Sequence, residues 1–371
     1  MDHPILAHGL NYFADNYAQA RNKFRQACKF TSAQHRLHAF KLPSDNPLLT
    51  ELAMDVCIMN PDASQTLVLS SGLHGVEGFL GSAIQCAFLE CARKSPSIRF
   101  VLLHGLNPFG FEHLRRGNED NVDLNRNFLL PDEEFQGAPA TYQKLNPLLN
   151  PPSPPRALDW FRSRAILAIA KHGMQPIKQA VAGGQYEYPK GLFFGGRTPA
   201  STQLVLRQEM ADWLRGSDMI IHLDFHTGLG KRGACSLLTD YPLDRQQRNL
   251  LSRKFGRWRF SEGGRDNLAY STSGSFGRWC VKMNFALRYF YLCAEFGTYG
   301  PLHVLDGLRR ENQAYWFGSS SQHMQAARKL KDLFCPVATA WRKRCLKEGF
   351  GLIETAVEAL QEGDIHKIMS P

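Results

Sequence analysis

Apolar residues recur along the chain with two different spacings, and each spacing predicts a different kind of element. In residues 12–28 they stand three or four positions apart, which is the spacing of one face of an amphipathic helix. The runs QTLVLS at 65–70 and IRFVLL at 98–103 are short and continuous, as in buried central strands. A helical pattern at 79–93 lies between these runs, so the order is that of a βαβ unit with a partly parallel sheet.

The rest of the chain extends this α/β pattern. Further strands are predicted at 35–41, 52–59, 219–225 and 287–293, and helices at 322–360. The composition changes at 131–155, where seven prolines stand among polar residues. We interpret this stretch as a linker or a long surface loop. Because strands on both sides of this stretch fit one sheet, we predict a single domain over residues 1–371, with a Pro-rich loop insertion and a helical C-terminal segment.

Composition narrows the class of protein. The chain has 44 Lys and Arg against 34 Asp and Glu, a net charge of +10, but its basic residues are scattered and form no aromatic-interleaved stripe. We therefore interpret the charge as a basic surface and expect no nucleic-acid partner. Nine cysteines form no CxxC pair, which favours a reducing compartment. Neither a secretory signal nor a span of apolar residues for a membrane is apparent, so a cytoplasmic location is predicted.

A histidine and a glutamate follow the predicted strand at 65–70. His74 and Glu77 carry imidazole and carboxylate groups, both of which bind zinc, and functional side chains of α/β proteins collect at the carboxyl ends of strands. The pair alone is weak evidence, since His-x-x-Glu is expected by chance about once in a chain with 13 histidines.

The segment HLDFHTG ends another predicted strand. Strand alternation puts His222, Asp224 and His226 on one face, where three polar side chains need ligands or hydrogen bonds. Asp224 suits a hydrogen bond to a metal-bound imidazole, a position just outside the ligand set. His222 lies further back in the strand and is interpreted as a structural histidine.

Two more polar clusters follow predicted strands. The first runs from Asn107 through Arg116 to Phe128, and arginines at such a position commonly bind carboxylate or phosphate, although a solvated surface loop is the alternative. The second contains Glu295 after the apolar run RYFYLC. A lone glutamate there is either a general base or a carboxylate facing water.

Taken in order, these clusters resemble the zinc carboxypeptidase family, the clan of pancreatic-type carboxypeptidase A. The matching strings are HGVE at 74–77, NPFG at 107–110, RGNEDNVDLNRNF at 116–128, DFHTG at 224–228 and AEFGT at 294–298. The chain also resembles an uncharacterised bacterial branch known only as a domain of unknown function. The DFHTG string is closer to a deacylase branch, the succinylglutamate desuccinylase and aspartoacylase relatives.

The resemblance implies a fold and a metal. The fold is a three-layer α/β/α arrangement, phosphorylase/hydrolase-like, with a central mixed and mostly parallel sheet of about eight strands. One Zn²⁺ per chain would be held by His74, Glu77 and His226. Glu295 matches the family's general base, and Asp224 stays the residue beside the metal-bound imidazole.

The resemblance also implies how substrate is bound. Arg116 matches the arginine that polarises the scissile carbonyl, and Asn125 with Arg126 matches the pair that grips a terminal carboxylate. The expected substrate is a peptide or an N-acyl amino acid with a free carboxylate, with no nucleic-acid or membrane partner. A carboxypeptidase is the leading hypothesis, a small-substrate deacylase the alternative, and a non-catalytic basic binding protein a distant third. The family's catalytic tyrosine has only Tyr270 and Tyr299 as candidates, and the oligomeric state stays open.

Overall fold

The computed structural model describes residues 9–31, 34–42, 51–91, 95–156, 158–173, 183–262 and 273–362, with Ile177 and Gln179. The strands of this part of the chain are β1 His35–Lys41, β2 Ala53–Met59, β3 Gln65–Ser71, β4 Ile98–His104, β5 Met219–Gly228, β6 Cys235–Thr239, β7 Arg259–Glu262 and β8 Arg288–Gly297. Its α-helices are α1 Tyr17–Phe30, α2 Gly78–Cys91, α3 Pro108–Glu112, α4 Ala140–Leu149, α5 Phe161–His172, α6 Ser201–Trp213, α7 Arg245–Phe255, α8 Phe276–Lys282, α9 Pro301–Phe317, α10 Ser320–Phe334 and α11 Thr339–Gln361. Short 3₁₀ helices span Gly9–Tyr12, Gly75–Glu77 and Leu124–Arg126.

The strands form one mixed sheet in the order β1-β2-β4-β3-β5-β8-β6-β7. The four central strands, β4, β3, β5 and β8, are parallel to one another, whereas β1 and β2 on one side and β6 on the other pair antiparallel with their inner neighbours. β4 and β5 are buried along their whole length, which explains their continuous apolar runs. The predicted α/β fold with a mixed sheet is confirmed.

Helices cover both faces of this sheet. On one face, α2 approaches closely, since a Cβ atom at Gly81 would lie 3.1 Å from the Cβ of Phe225. On the other face, Phe276 of α8 lies with its ring 5.5 Å from that of His222. Within the described residues, no helix has both the length and the hydropathy needed to cross a lipid bilayer.

The Pro-rich segment at 131–155 differs from the predicted loop. It contains α4, whose buried residues Tyr142, Leu145 and Leu149 lie on one helical face. The Tyr142 hydroxyl donates a 2.7 Å hydrogen bond to the carbonyl of Leu192, which attaches the helix to a neighbouring segment. The prolines obscured this helical spacing, although Pro147 is accommodated inside the helix. In the C-terminal segment predicted as helical, the structure has α10 and α11.

Sheet register brings the polar strand ends together. His226 of β5 pairs with Glu295 of β8, and Asp224 pairs with Ser70 of β3 on the other side. Side chains of directly paired residues point to the same face of a sheet. The polar residues predicted on separate strands therefore share one face, near the carboxyl ends of parallel strands.

His104 is a buried histidine away from this polar edge, and it predicts an acid-sensitive fold. Its ring stacks on Phe24 at 4.4 Å, and its Nε2 lies 2.9 Å from the Ser82 hydroxyl. Burial lowers the pKa of His104 from 6.5 to about 4. Because the folded state binds this proton less readily than the unfolded state, the stabilisation is full above pH 6.5 and is lost as the pH falls towards 4.

We expect His104→Gln to flatten the dependence of stability on pH. Between pH 7.5 and 5, the free energy of unfolding of the wild type should fall by about 2 kcal/mol more than that of the variant. Urea unfolding at the two pH values measures this difference, and comparison of slopes removes any constant loss of stability in the variant. Equal slopes would contradict an uncharged buried His104.

Candidate metal centre

Three side chains predicted as ligands converge at the carboxyl ends of β3 and β5. Ligand atoms of His74, Glu77 and His226 all lie within 4.8 Å of one another, and all three residues are buried. His74 Nδ1 is 3.0 Å from one Glu77 carboxylate oxygen, and His226 Nδ1 is 3.4 Å from the other. The tight turn after β3 requires glycine at Gly75, where a Cβ atom would lie 2.0 Å from the backbone of Gly110.

A carboxylate faces the far nitrogen of each histidine. His226 Nε2 lies 2.6 Å from Asp224, and His74 Nε2 lies 3.2 Å from Asp123. The carboxylate of Asp224 favours a proton on His226 Nε2, so that Nδ1 is the nitrogen that faces Glu77. His74 Nε2 also lies 2.9 Å from Arg116 Nη2. Each histidine therefore directs its Nδ1 towards the Glu77 carboxylate.

The donor set fits a zinc ion. His74 Nδ1 is buried and makes no well-aligned hydrogen bond within the described part of the chain. His74 Nδ1 and a Glu77 carboxylate oxygen thus face each other in a buried space, where a cation between them would bind both. Two imidazole nitrogens and one carboxylate are a common three-ligand set for catalytic zinc, with a further position open.

Charges in the group are strongly coupled. Burial would raise the pKa of Glu77, but His74 and His226 together hold it well below its usual range. Burial would likewise lower the pKa of His226, yet Asp224 and Glu77 raise it well above its usual value. Glu77 is therefore ionised, and the neighbouring histidines stabilise its negative charge, as a metal-binding carboxylate requires.

Asp224 is itself fixed by hydrogen bonds. The Ser70 hydroxyl donates to Oδ1 at 2.6 Å, and the Tyr291 hydroxyl donates to Oδ2 at 2.7 Å. Although burial opposes ionisation, the charge and hydrogen bond of His226 lower the pKa of Asp224 to about 2. Asp224 is therefore an ionised, immobile anchor for the His226 ring.

We expect Asp224→Asn to weaken zinc affinity about 10- to 100-fold, because the amide removes the negative charge that strengthens and orients His226 as a ligand. Competition with a chromophoric chelator measures the affinity. Asp244→Asn, a change at an exposed helix cap, serves as the control and should leave the affinity unaltered. Equal zinc affinity of wild type and Asp224→Asn would rule out this role.

Glu295 lies beside the ligand group, near the end of β8. It is buried, and its Oε1 accepts a 2.7 Å hydrogen bond from the amide of Leu229. Burial, reinforced by the negative charge of Glu77, raises the pKa of Glu295 to about 7. A carboxylate with this pKa exchanges protons readily at neutral pH.

Arg116 contacts the ligands directly. Its Nη1 is 3.1 Å from Glu77, its Nη2 is 2.9 Å from His74 Nε2, and its Nε donates to Asp123 at 2.9 Å. The side chain is 16 % exposed, so it is the more accessible partner of this buried group. Arg116 thus places a positive charge at the border of the candidate metal position.

Asn125 and Arg126 lie on the 3₁₀ turn that follows Asp123. The Asn125 side-chain oxygen accepts a 2.9 Å hydrogen bond from the amide of Phe276. Arg126 Nη1 donates to the backbone oxygen of Asn125 at 2.6 Å. Burial lowers the pKa of Arg126, whereas the nearby charge of Asp123 raises it. Each of the two side chains is therefore held by a hydrogen bond to the backbone, and the charge of Asp123 acts on both Arg126 and Arg116.

The other candidates have different surroundings. His222 is engaged at both ring nitrogens, by the hydroxyls of Ser70 at 2.7 Å and Tyr289 at 2.8 Å, as a structural histidine would be. Tyr299 donates to Asp332 at 3.0 Å and does not contact the ligand group. Tyr270 lies outside the described residues.

Sequence reasoning missed three residues that support the site. Asp123 lies inside the VDLNRNF string but was given no role, although an acid beside Asn125 and Arg126 was visible there. Ser70 and Tyr291 buttress Asp224 from the two neighbouring strands. Once the strand order is known, the alternation of side chains along each predicted strand places Ser70 and Tyr291 on the same face as Asp224.

Solved structures with a similar chain course share little sequence with this protein. Carboxypeptidase A from Helicoverpa armigera is 15% identical with a TM-score of 0.49, covering 87% of this chain and 74% of its own. A murein-tripeptide amidase from Escherichia coli O157 is 16% identical with a TM-score of 0.39, covering 82% and 95%. A succinylglutamate desuccinylase/aspartoacylase from Rhodobacter sphaeroides is 15% identical with a TM-score of 0.38, covering 78% and 67%.

At these identities and scores, the neighbours carry no conclusion about function. Among curated proteins, no sequence match is found. A family model does match, over residues 13–348, and its description is a protein of unknown function. This confirms the expected membership of a branch known only as a domain of unknown function: the chain belongs to the DUF2817 family.

Proposed function

We propose that this protein is a zinc-dependent amide hydrolase of carboxypeptidase type, which removes a C-terminal or near-terminal residue from a peptide. The observation that carries the proposal is the convergence of two histidine Nδ1 atoms and the Glu77 carboxylate, with Glu295 and Arg116 at its border. His74, Glu77 and His226 would hold the ion. When bound there, zinc supplies Lewis acidity that lowers the pKa of water towards about 7 and polarises a carbonyl group.

Glu295 is the proposed general base. Its pKa of about 7 lets the carboxylate take a proton from attacking water at neutral pH and return it to the leaving amine. The hydrogen bond from Leu229 fixes Oε1, so the proton is exchanged at a defined position. Burial excludes bulk water that would compete for this proton.

Arg116 is the proposed stabiliser of the oxyanion. Its guanidinium already lies against the ligand group, and a positive charge fixed there before the reaction stabilises developing negative charge without reorganisation. Asn125 and Arg126 are the proposed contacts for the substrate's free carboxylate, since a guanidinium matches a carboxylate in two parallel hydrogen bonds. Holding that carboxylate would restrict cleavage to a bond close to the chain end.

The alternative is a zinc deacylase acting on small N-acyl amino acids. It is favoured by the DFHTG string at 224–228, which resembles the corresponding segment of the deacylase branch. Both functions use the same ligands, Arg116 and carboxylate contacts. A non-catalytic basic binding protein is the third hypothesis, and the complete ligand set speaks against it.

The proposal is tested by incubating zinc-loaded protein with a mixture of peptides with free C-termini and N-acyl amino acids, followed by mass spectrometry. Glu295→Gln is the blank. Stepwise loss of C-terminal residues that is absent from the blank would support the carboxypeptidase, and release of acyl groups alone would support the deacylase. No turnover of either substrate class by protein with bound zinc would refute both.

A further inference from the structure

Two bulky residues with a left-handed backbone lie next to Arg116. Among the described residues, five other than glycine have a positive φ angle, and three of these are asparagines, which tolerate this conformation. The other two are Leu114, with a φ of 57°, and Phe193, with a φ of 58°. Leu114 precedes Arg116 by two residues, and the Phe193 ring lies against the Arg116 cation, with its centroid 5.3 Å from Cζ. Both strained residues are therefore neighbours of the proposed oxyanion stabiliser.

Hydrogen bonds hold the strained backbone at Phe193. Its carbonyl accepts from the amide of Gln185 at 3.1 Å, and the carbonyl of the next residue, Phe194, accepts from the amide of Asp123 at 2.7 Å. Left-handed backbone is unfavourable for a bulky side chain and persists only where surrounding contacts determine it, which is common at functional sites. The contacts of this segment therefore keep Phe193 in a conformation that phenylalanine rarely adopts.

Polar groups bind each nitrogen atom of the Arg116 guanidinium. Nε donates to Asp123 at 2.9 Å, Nη1 is 3.1 Å from Glu77, and Nη2 is 2.9 Å from His74. An aromatic ring attracts a cation through the negative potential of its face, and this attraction uses no N–H donor. The Phe193 ring can therefore hold the guanidinium in place without competing with an oxyanion for its donors.

The surroundings of the ring strengthen this contact. Phe193 is 9 % exposed, and it packs in one apolar cluster with Val76, which lies in the ligand turn, and Phe334. A cation on an aromatic face is held more strongly where little water screens it. Burial of an apolar side chain alone does not require a left-handed backbone, whereas contact with Arg116 gives this conformation a purpose.

We propose that Phe193 is a positioning residue for Arg116, which it holds against the ligand group through the face of its aromatic ring. The consequence for catalysis rests on the proposed function of the same site. Because the ring fixes the guanidinium before the reaction, Arg116 needs no reorganisation when negative charge develops on the carbonyl oxygen. The left-handed backbone at Phe193 places the ring where it makes this contact.

The rate at which phenylglyoxal modifies Arg116, measured by peptide mass spectrometry, tests the positioning without turnover. Phe193→Leu removes the ring, whereas a trifluorinated phenylalanine at position 193 keeps the shape of the ring but removes most of the negative potential of its face. We expect Arg116 to be modified about 10-fold faster in Phe193→Leu and about 3-fold faster beside the fluorinated ring. Phe161→Leu is the matched control, because the Phe161 ring lies 4.8 Å from Arg309 Cζ in another apolar cluster. It should leave the modification rate of Arg116 unaltered.

A wild-type modification rate of Arg116 in either protein changed at position 193 would overturn the inference. A phenylalanine that only fills apolar volume would be insensitive to fluorination. The fluorinated protein keeps the test decisive even where Phe193→Leu fails to fold.

Hydrolysis separates this inference from the proposed function. We expect Phe193→Leu to lower kcat about 10-fold with KM and bound zinc unchanged, and to cause little further loss in an Arg116→Lys background. Turnover with a wild-type kcat in Phe193→Leu would contradict the role of Phe193 alone. Faster modification of Arg116 in both changed proteins, without turnover by the wild type, would support that role and contradict the proposed function.

Discussion

Replacing Glu295 with glutamine is expected to lower kcat for amide hydrolysis by about 10²- to 10⁴-fold while zinc binding is retained. Glutamine has nearly the same shape, and its amide oxygen can still accept the hydrogen bond from Leu229. What it lacks is an oxygen that takes up a proton near neutral pH. Because the interaction is made while the bond is being cleaved, the loss should fall on kcat rather than on KM.

Steady-state kinetics and metal analysis of the same preparation check this result. Glu262→Gln is a matched control, since Glu262 is a buried glutamate bound by Arg248 away from the site. Its kcat should stay close to that of the wild type. A Glu295→Gln variant that keeps more than about a tenth of the wild-type kcat would remove Glu295 from the mechanism.

Replacing His226 with alanine is expected to abolish stoichiometric zinc binding and, with it, turnover. Removing one of three protein ligands leaves only His74 and Glu77, which is too few for a stable tetrahedral site. It also leaves Asp224 buried beside a cavity without its 2.6 Å partner. Zinc that binds only the folded state stabilises it by about 4 kcal/mol at a concentration 1,000 times Kd, and this effect should vanish in the variant.

Metal content after dialysis and thermal unfolding with and without zinc measure the effect. His222→Gln is the control, because His222 lies on the same strand face but hydrogen-bonds to hydroxyl groups. It should retain one zinc per chain and the zinc-dependent rise in Tm. Full zinc content in His226→Ala, or loss of zinc in His222→Gln alone, would mean that the ligand set is wrong.

The fold could be predicted where apolar runs were long. The spans at 65–70 and 98–103 agree with β3 and β4 to within a residue at each end, because buried parallel strands are marked by continuous apolar residues. The span at 35–41 also agrees with β1, a partly exposed antiparallel strand at the edge of the sheet. β6 and β7 were not predicted. Each has at most five residues, and CSLLT at β6 alternates only weakly between buried and half-buried positions, so neither stands out from a loop.

The site could be predicted only in part, for a similar reason. The residues that could bind a metal were recognised from short sequence motifs, whereas the contacts that orient these residues depend on which strands are neighbours in the sheet. Asp123 reaches His74 Nε2 across a long loop, and Tyr291 reaches Asp224 from the adjacent strand. No local spacing encodes such pairs. Glu295 was expected after its strand, but β8 continues through Gly297, so the strand itself fixes this side chain opposite His226.

The most direct test is a zinc titration of metal-stripped protein, with turnover of the best substrate and bound metal measured at each addition. We predict that turnover is absent without metal, rises in proportion to zinc and reaches its maximum at one zinc per chain. Full turnover by protein that contains no metal would contradict the account.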